Sequence, residues 1–292
     1  MTLHFTVRPE EDALALRDVL RRRGCSASLL AAVKRGQGFW RAGAPIFANE
    51  RVRAGDEIAV PLPPDAPSDV TPQDLPLAIV YETAHAMVLE KPAGMVVHPT
   101  LGAKDGTLAN AFCGLMQRRG TPAPFRPVNR LDRGTSGLVL CAMNAWAAPL
   151  LAKSVRKEYI AAVRGVPQPK EGAWRWPIAR CEDSIIKRRC AEDGKPSVTH
   201  YSVVGVDAQH DAALLCCVLE TGRTHQIRVH AARAGHPLLG DWLYGGDTAA
   251  IARPALHCSA LRFDDPETGR PVVCKSTPSF TKEWLILHTF AV

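Results

Sequence analysis

The chain has no apolar run near the roughly 18 residues that a membrane-spanning helix needs. Its longest, Ala212 to Leu219, is strand-sized and ends at Glu220. The first ten residues carry no signal-peptide pattern, so a cytoplasmic protein is expected. Nine cysteines are present, but none forms a Cys-x-x-Cys pair. His225, His230 and His236 recur without a carboxylate or cysteine at ligand spacing, and no metal site is expected. Cys141, Cys216 and Cys217 lie in apolar runs and read as small buried hydrophobes, the odd total pointing to free thiols. Dinucleotide and P-loop signatures are also missing, so no cofactor is expected.

What the chain does have is an excess of basic charge. Lys and Arg total 36 against 29 Asp and Glu, a formal net charge of +7, which favours a polyanionic partner. At 292 residues the chain is long enough for one large unit and a small accessory one. Residues 1–62 read as the small unit. Asp12 is expected to cap a helix with Leu14, Leu16, Val19 and Leu20 on one side and Arg17, Arg21, Arg22 and Arg23 supplying charge, ended by Gly24. Ser26 or Ser28 starts a second helix that ends in Lys34, Arg35 and Gly36, and short strands follow to Val60. Residues 63–76 are rich in proline and read as an extended, semi-rigid linker. Residues 77–292 form the large unit.

Within it, Pro127 to Gly137 reads Pro-Val-Asn-Arg-Leu-Asp-Arg-Gly-Thr-Ser-Gly and leads into the apolar run Leu138 to Met143. The run predicts a core strand and the glycines a turn before it, which puts Asp132 on a loop anchored by the sheet. Neighbouring Arg130 and Arg133 favour its ionised form, and a rigidly held carboxylate serves as nucleophile or base. Taken alone, the cluster also fits an ordinary surface ion pair. Two further segments stand out: Glu90-Lys91-Pro92-Ala93-Gly94-Met95-Val96-Val97-His98-Pro99, and Thr221-Gly222-Arg223-Thr224-His225-Gln226-Ile227-Arg228-Val229-His230 with Asp241 and Tyr244-Gly245 beyond it. Trp174 and Trp176 stand among basic residues in the irregular stretch 165–197, which suits RNA contact or simple packing back onto the sheet.

These three segments, taken in chain order from Glu90, resemble the signatures of the RluA-type pseudouridine synthases. The resemblance implies an α+β fold, a mixed and mainly antiparallel central sheet with flanking helices. Residues 1–62 resemble the S4-type RNA-binding module that often precedes it, although Arg41-Ala42-Gly43-Ala44-Pro45 stands where an Asn-Gly hairpin is usual. By resemblance Asp132 is the catalytic aspartate, Arg228 its arginine partner, and Tyr159 the ring that stacks on the target base. Arg130 would fill the position vacated by the flipped base, and Ile227 would form pocket wall. Lys91, Arg133, Thr135, Arg223 and His225 are assigned to substrate binding in supporting roles. The implied activity is conversion of uridine to pseudouridine in structured RNA by a monomer, with ribosomal RNA favoured over transfer RNA because of the attached module. Asn129 and Gly134 depart from the family's usual histidine and aspartate. Two other readings remain: an RNA-remodelling protein without chemistry, and a glycosidic hydrolase, which usually needs a second catalytic carboxylate that no motif here supplies.

Overall fold

The computed structural model describes residues 1–292 except 67, 250, 279 and 281–292. Residues 2–61 build a sheet of their own from β1 (Thr2–Thr6), β2 (Phe39–Arg41), β3 (Ala44–Ile46) and β4 (Glu57–Pro61), in the order β1-β4-β2-β3. Helices α1 (Leu16–Arg22) and α2 (Ala27–Arg35) bury Leu16, Val19, Leu20, Leu29, Leu30 and Val33. Arg17, Arg21, Arg22, Lys34 and Arg35 remain exposed. Ser26 caps α2, its hydroxyl accepting from the Leu29 N–H. Asp12 does not cap α1. That helix follows Ala15 without a side-chain cap, because the Asp12 carboxylate accepts instead from the Ala54 N–H across the turn before β4. Nor does Arg23 add to the basic face, since its guanidinium is spent on Glu11 and the Thr6 carbonyl.

The hairpin between β2 and β3 turns through Ala42 (φ +47°) and Gly43 (φ +82°). Two successive left-handed residues match the right-handed twist of the strands they join. Ala42 therefore adopts the backbone usually given to asparagine, at a steric cost.

The proline-rich segment is fastened rather than free. Asp65 pairs with Arg126 and Asp74 with Arg118, the Thr71 carbonyl accepts from Asn110 Nδ2, and the Gln73 backbone lies so close to Gly114 that a Cβ there would fall 2.0 Å from the Gln73 oxygen. The small unit is also in direct contact with the large one: Trp146 Nε1 donates to the Arg23 carbonyl at 2.9 Å and its ring meets Phe5 edge-on.

The large unit is a nine-stranded sheet of β5 (Ala78–Glu82), β6 (Ala86–Lys91), β7 (Ser136–Ala142), β8 (Arg156–Arg164), β9 (Glu171–Trp174), β12 (Thr199–Asp207), β13 (Ala212–Leu219), β14 (Leu256–Asp264) and β15 (Pro271–Lys275). A short hairpin, β10 (Ile178–Arg180) with β11 (Arg188–Cys190), stands apart. Strand order is β5-β6-β7-β14-β8-β13-β12-β9, with β15 on β14. Every pairing is antiparallel except β7 with β14. Every residue of β7 is buried, as an unbroken apolar run at the centre of a sheet requires. Helices α3 (Leu108–Arg118), α4 (Ala147–Ser154) and α5 (Gln226–Arg233) flank the sheet. Thr107 caps α3 in a reciprocal pair with Asn110, and Pro149 falls in the first turn of α4, where its missing N–H costs no bond. Among the described residues no helix is long and apolar enough to cross a membrane.

Candidate active site

Strand β14 enters the sheet between β7 and β8 and brings their contents together. Gly137, Cys258 and Tyr159 form one row across the three strands. Gly137 is required there: its φ is +110°, and a Cβ would lie 2.4 Å from the Cys258 carbonyl. The loop just before β7 carries Asp132, and three devices fix it. Buried Asn129 acts as a length of strand, its Nδ2 donating to the Leu138 carbonyl and its Oδ1 accepting from the Leu140 N–H. An asparagine thus does structural service where the family usually has histidine. The Thr135 N–H donates to the Asp132 carbonyl at 3.1 Å, closing the turn. Behind the loop, Lys91 is fully buried and its Nζ donates to the carbonyls of Pro92 (2.9 Å), Met95 (2.8 Å) and Arg133 (3.4 Å). Burial pushes the ammonium down to about 8. Gly134 faces the Pro254 ring, which a Cβ would approach to 2.9 Å, so an aspartate has no room here unless that ring moves.

The partners of Asp132 are distant in sequence. Arg228 Nη1 lies 3.5 Å and His225 Nε2 3.8 Å from its Oδ2. Among the described residues neither Arg130 nor Arg133 forms an ion pair with it, contrary to expectation. Arg133 turns away, its Nε donating to the Gly94 carbonyl at 3.0 Å. The principal partner of Arg228 is also not Asp132. Its Nε and Nη2 both donate to fully buried Asp241 at 2.7 Å, a bidentate geometry that fixes the plane of the guanidinium. Burial opposes the charge on Arg228, but these bonds outweigh it and raise its pKa above the ordinary value.

Helix α5 presents Arg228 because Gln226 organises its entry. The Gln226 side-chain Oε1 accepts from the Thr221 hydroxyl and the Arg223 N–H, while its Nε2 donates to the Val198 carbonyl. His225, just before the helix, takes a left-handed backbone (φ +59°), which for a residue with a Cβ signals a held position. Its Nδ1 is 2.9 Å from the Tyr244 hydroxyl, and that oxygen accepts from the Arg188 N–H. When the phenolic proton goes to Nδ1, the proton of a neutral His225 sits on Nε2, the side of Asp132. Burial holds His225 below its ordinary pKa, against the pull of Asp132. It raises the Tyr244 phenol to about 12.

A small cavity of ≈ 60 Å³ lies at this junction, walled by Arg130, Asp132, Thr135, Tyr159, Ile227 and Leu256 together with Leu219, Arg223, His225 and Gln226. Tyr159 is 6% exposed, and burial lifts its phenol well above the ordinary value, so it meets the cavity as a neutral ring and hydroxyl. Of the residues read from the sequence as site residues, Lys91, Arg133 and Arg228 are off this wall, Arg228 reaching it only through Asp132. Lys91 is consumed by loop carbonyls and Arg133 by Gly94, so both shape the Asp132 loop from behind. Sequence reasoning gave no roles to Asp241, Tyr244 and Gln226. Their only signal was their place in the extended third segment. Trp174 stacks on Tyr201, with ring centroids 4.4 Å apart, and so folds back on the sheet. Trp176 is half-buried beneath Arg233. Among the described residues no three His, Cys, Asp or Glu side chains gather as metal ligands. His230 spends its nitrogens on the Thr199 hydroxyl and the Trp176 carbonyl.

Comparison with known proteins agrees with this architecture. Residues 85–233 match the RNA pseudouridylate synthase family. The chain is 36% identical over 242 residues to a ribosomal large subunit pseudouridine synthase D of Xanthomonas campestris, covering 76% of this chain and 72% of that one. It is 39% identical over 242 residues to the uncharacterised RNA pseudouridine synthase YlyB of Bacillus subtilis, covering 79% and 78%. Among solved structures, human RNA pseudouridylate synthase domain containing 1 superposes with a TM-score of 0.58 at 27% identity, over 75% of this chain and 89% of that one. The chain belongs to the RNA pseudouridylate synthase family, enzymes that isomerise uridine in RNA.

Proposed function

We propose that this enzyme forms pseudouridine in ribosomal RNA with Asp132 as the reacting carboxylate. The observation that carries the reading is convergence: Asp132 before β7, Tyr159 on β8 and Ile227 on α5 line one cavity from three separated segments, and Arg228 of the same helix stands 3.5 Å from Asp132. The reaction breaks the bond between uracil N1 and ribose C1′, turns the base and rejoins it through C5. It needs a carboxylate at the sugar, as attacking group at C1′ or as base for a ribose proton, and it needs the detached base held. Asp132 supplies the first. Tyr159 and Ile227 supply a flat apolar slot for the second, and Tyr159 is placed to relay the C5 proton. Arg228, already neutralised by Asp241, orients Asp132 without a full ion pair.

A nucleotide stacked in RNA must leave its helix, at a cost of a few kcal/mol that contacts to the base and its flanks offset. Arg130, exposed at the cavity rim, is suited to take its place. The exposed basic side chains of α1 and α2 support the reading of residues 1–62 as an S4-type RNA-docking module. Ribosomal RNA is preferred over transfer RNA on that ground and because several relatives are named ribosomal large subunit pseudouridine synthase D.

The test is tritium release from RNA labelled at uridine C5, using separate ribosomal and transfer RNA pools from cells that lack the protein. Release from ribosomal RNA, abolished by Asp132→Asn with RNA binding retained, is the expected result. Release from transfer RNA alone would move the substrate, and survival of activity in Asp132→Asn would overturn the carboxylate assignment.

A further inference from the structure

Thr135 is three residues from Asp132, and its surroundings are unusual. Its hydroxyl is the one buried side-chain oxygen or nitrogen among the described residues that has no hydrogen-bond partner. The residue is 2% exposed and forms part of the cavity wall. Its neighbour Ser136 shows that partners are to be had at this strand end, since the Ser136 hydroxyl bonds to His257 Nδ1 at 2.9 Å. A buried hydroxyl left unpaired lowers stability and calls for an explanation. Here it stands in a cavity where Tyr159, Ile227 and Leu256 supply the apolar surface and Asp132 the charge.

We propose that the Thr135 hydroxyl is a further catalytic group, donating a hydrogen bond to the pyrimidine carbonyl that flanks the glycosidic bond and so stabilising the base while it is detached. This rests on the pseudouridine reading of the site. Asp132, whose side chain is 27% exposed, must reach the sugar. More deeply buried Thr135, beside the apolar wall, faces the base. The nearest polar group of uracil to C1′ is the C2 carbonyl, and the backbone bond from Thr135 to Asp132 keeps hydroxyl and carboxylate at a fixed separation.

The chemistry explains why a single hydroxyl suffices. When the C1′–N1 bond breaks, its electron pair stays with the base, whose charge spreads over N1, O2 and O4. Turning the base half a revolution about its N3···C6 axis exchanges N1 with C5 and O2 with O4. A fixed donor that bonded O2 therefore meets O4 after the turn, and both oxygens carry the charge. The pair at C5 then forms the C1′–C5 bond, C5 loses its proton and N1 gains one, so the sum is an isomerisation. Thr135 transfers no proton. A donor already in place where charge develops contributes strongly because nothing has to reorganise.

The experiment compares wild type with Thr135→Val, which keeps the shape and removes the hydroxyl, and Thr135→Ser, which keeps the hydroxyl. Each is measured by single-turnover tritium release, RNA binding and thermal melting. In Thr135→Val the rate is expected to fall by roughly 10²–10³-fold, the scale for loss of one such donor. RNA affinity should stay unchanged and the melting temperature stay equal or rise, because the variant removes an unpaired buried hydroxyl. Thr135→Ser should recover most of the rate. A Thr135→Val enzyme as fast as wild type would overturn the proposal. So would a Thr135→Val enzyme that melts several degrees lower with no recovery in Thr135→Ser, since the hydroxyl would then be structural. Inactivity of the wild type itself on every RNA would instead remove the reading of the site on which the proposal rests.

Discussion

Arg228 faces two carboxylates and holds them differently. Asp241, fully buried, takes two bonds of 2.7 Å, while Asp132, part-exposed at the cavity, stands 3.5 Å from a third nitrogen. The first contact solves a folding problem, because a buried guanidinium without a partner is costly. The second steers without clamping. A carboxylate locked into a bidentate pair has its lone pairs occupied, whereas one held at 3.5 Å keeps an oxygen for chemistry. The separation of duties teaches that the charge of Arg228 is balanced by Asp241, away from Asp132, the proposed reacting group.

The comparison predicts opposite phenotypes. Asp132→Asn should reduce activity by on the order of 10⁴-fold or more, as loss of a reacting group does, with little change in melting temperature. Asp241→Ala should destabilise the fold by about 3–5 kcal/mol in denaturant titrations, because it strands the Arg228 charge. If Asp241→Ala melted like wild type, the assignment of structural and reacting carboxylates would be broken.

Lys91 sharpens the contrast, being a buried cation near the same loop that has carbonyls rather than a carboxylate as hydrogen-bond partners. Unfolded, a lysine titrates near about 10.4, whereas burial holds Lys91 at about 8 in the fold. Between these values the unfolded chain binds a proton that the folded chain does not, so the fold gains stability as pH rises through the window. Lys91→Met lacks this gain. The stability difference between wild type and variant should shift toward wild type by on the order of 3 kcal/mol across that window, and parallel melts over the range would show it.

The smallest expected effect lies far from the cavity. Ala42→Asn should stabilise the chain by roughly 1 kcal/mol by relieving a left-handed alanine, raising the melting temperature and leaving the Asp132 and Asp241 phenotypes unchanged when combined with either.

Much of this was legible from residue order. The apolar run at Leu138 marked β7, the glycines before it marked the turn, and Ser26, one of two candidates with Ser28, marked the start of α2 that the structure shows. Local patterns report local partners well. They fail where a group has two eligible partners: Asp12 could cap a helix or a distant turn, and it takes the turn. They fail also where the partner lies across a loop, as Asp241 lies 13 residues from Arg228 with a chain reversal between. The attachment of the linker was not legible for a related reason. Proline content reports stiffness, but Asp65, Thr71, Gln73 and Asp74 report attachment only once α3 and the strand entry at Arg126 are in place. Asn129 was legible only as a departure from the family's usual histidine, while its service as a length of strand needed the neighbouring carbonyl and N–H of β7.

The placement of β14 governs when the enzyme comes into being. Residues 256–264 separate β7 from β8, so a chain emerging from the ribosome carries Asp132 and Tyr159 long before the strand that unites them. Until then both strands present open edges, which invite wrong pairing, and closing them demands contacts more than a hundred residues apart in sequence, a topology that folds slowly. The row that sets Gly137 beside Tyr159 is therefore complete only once that late strand lies between them.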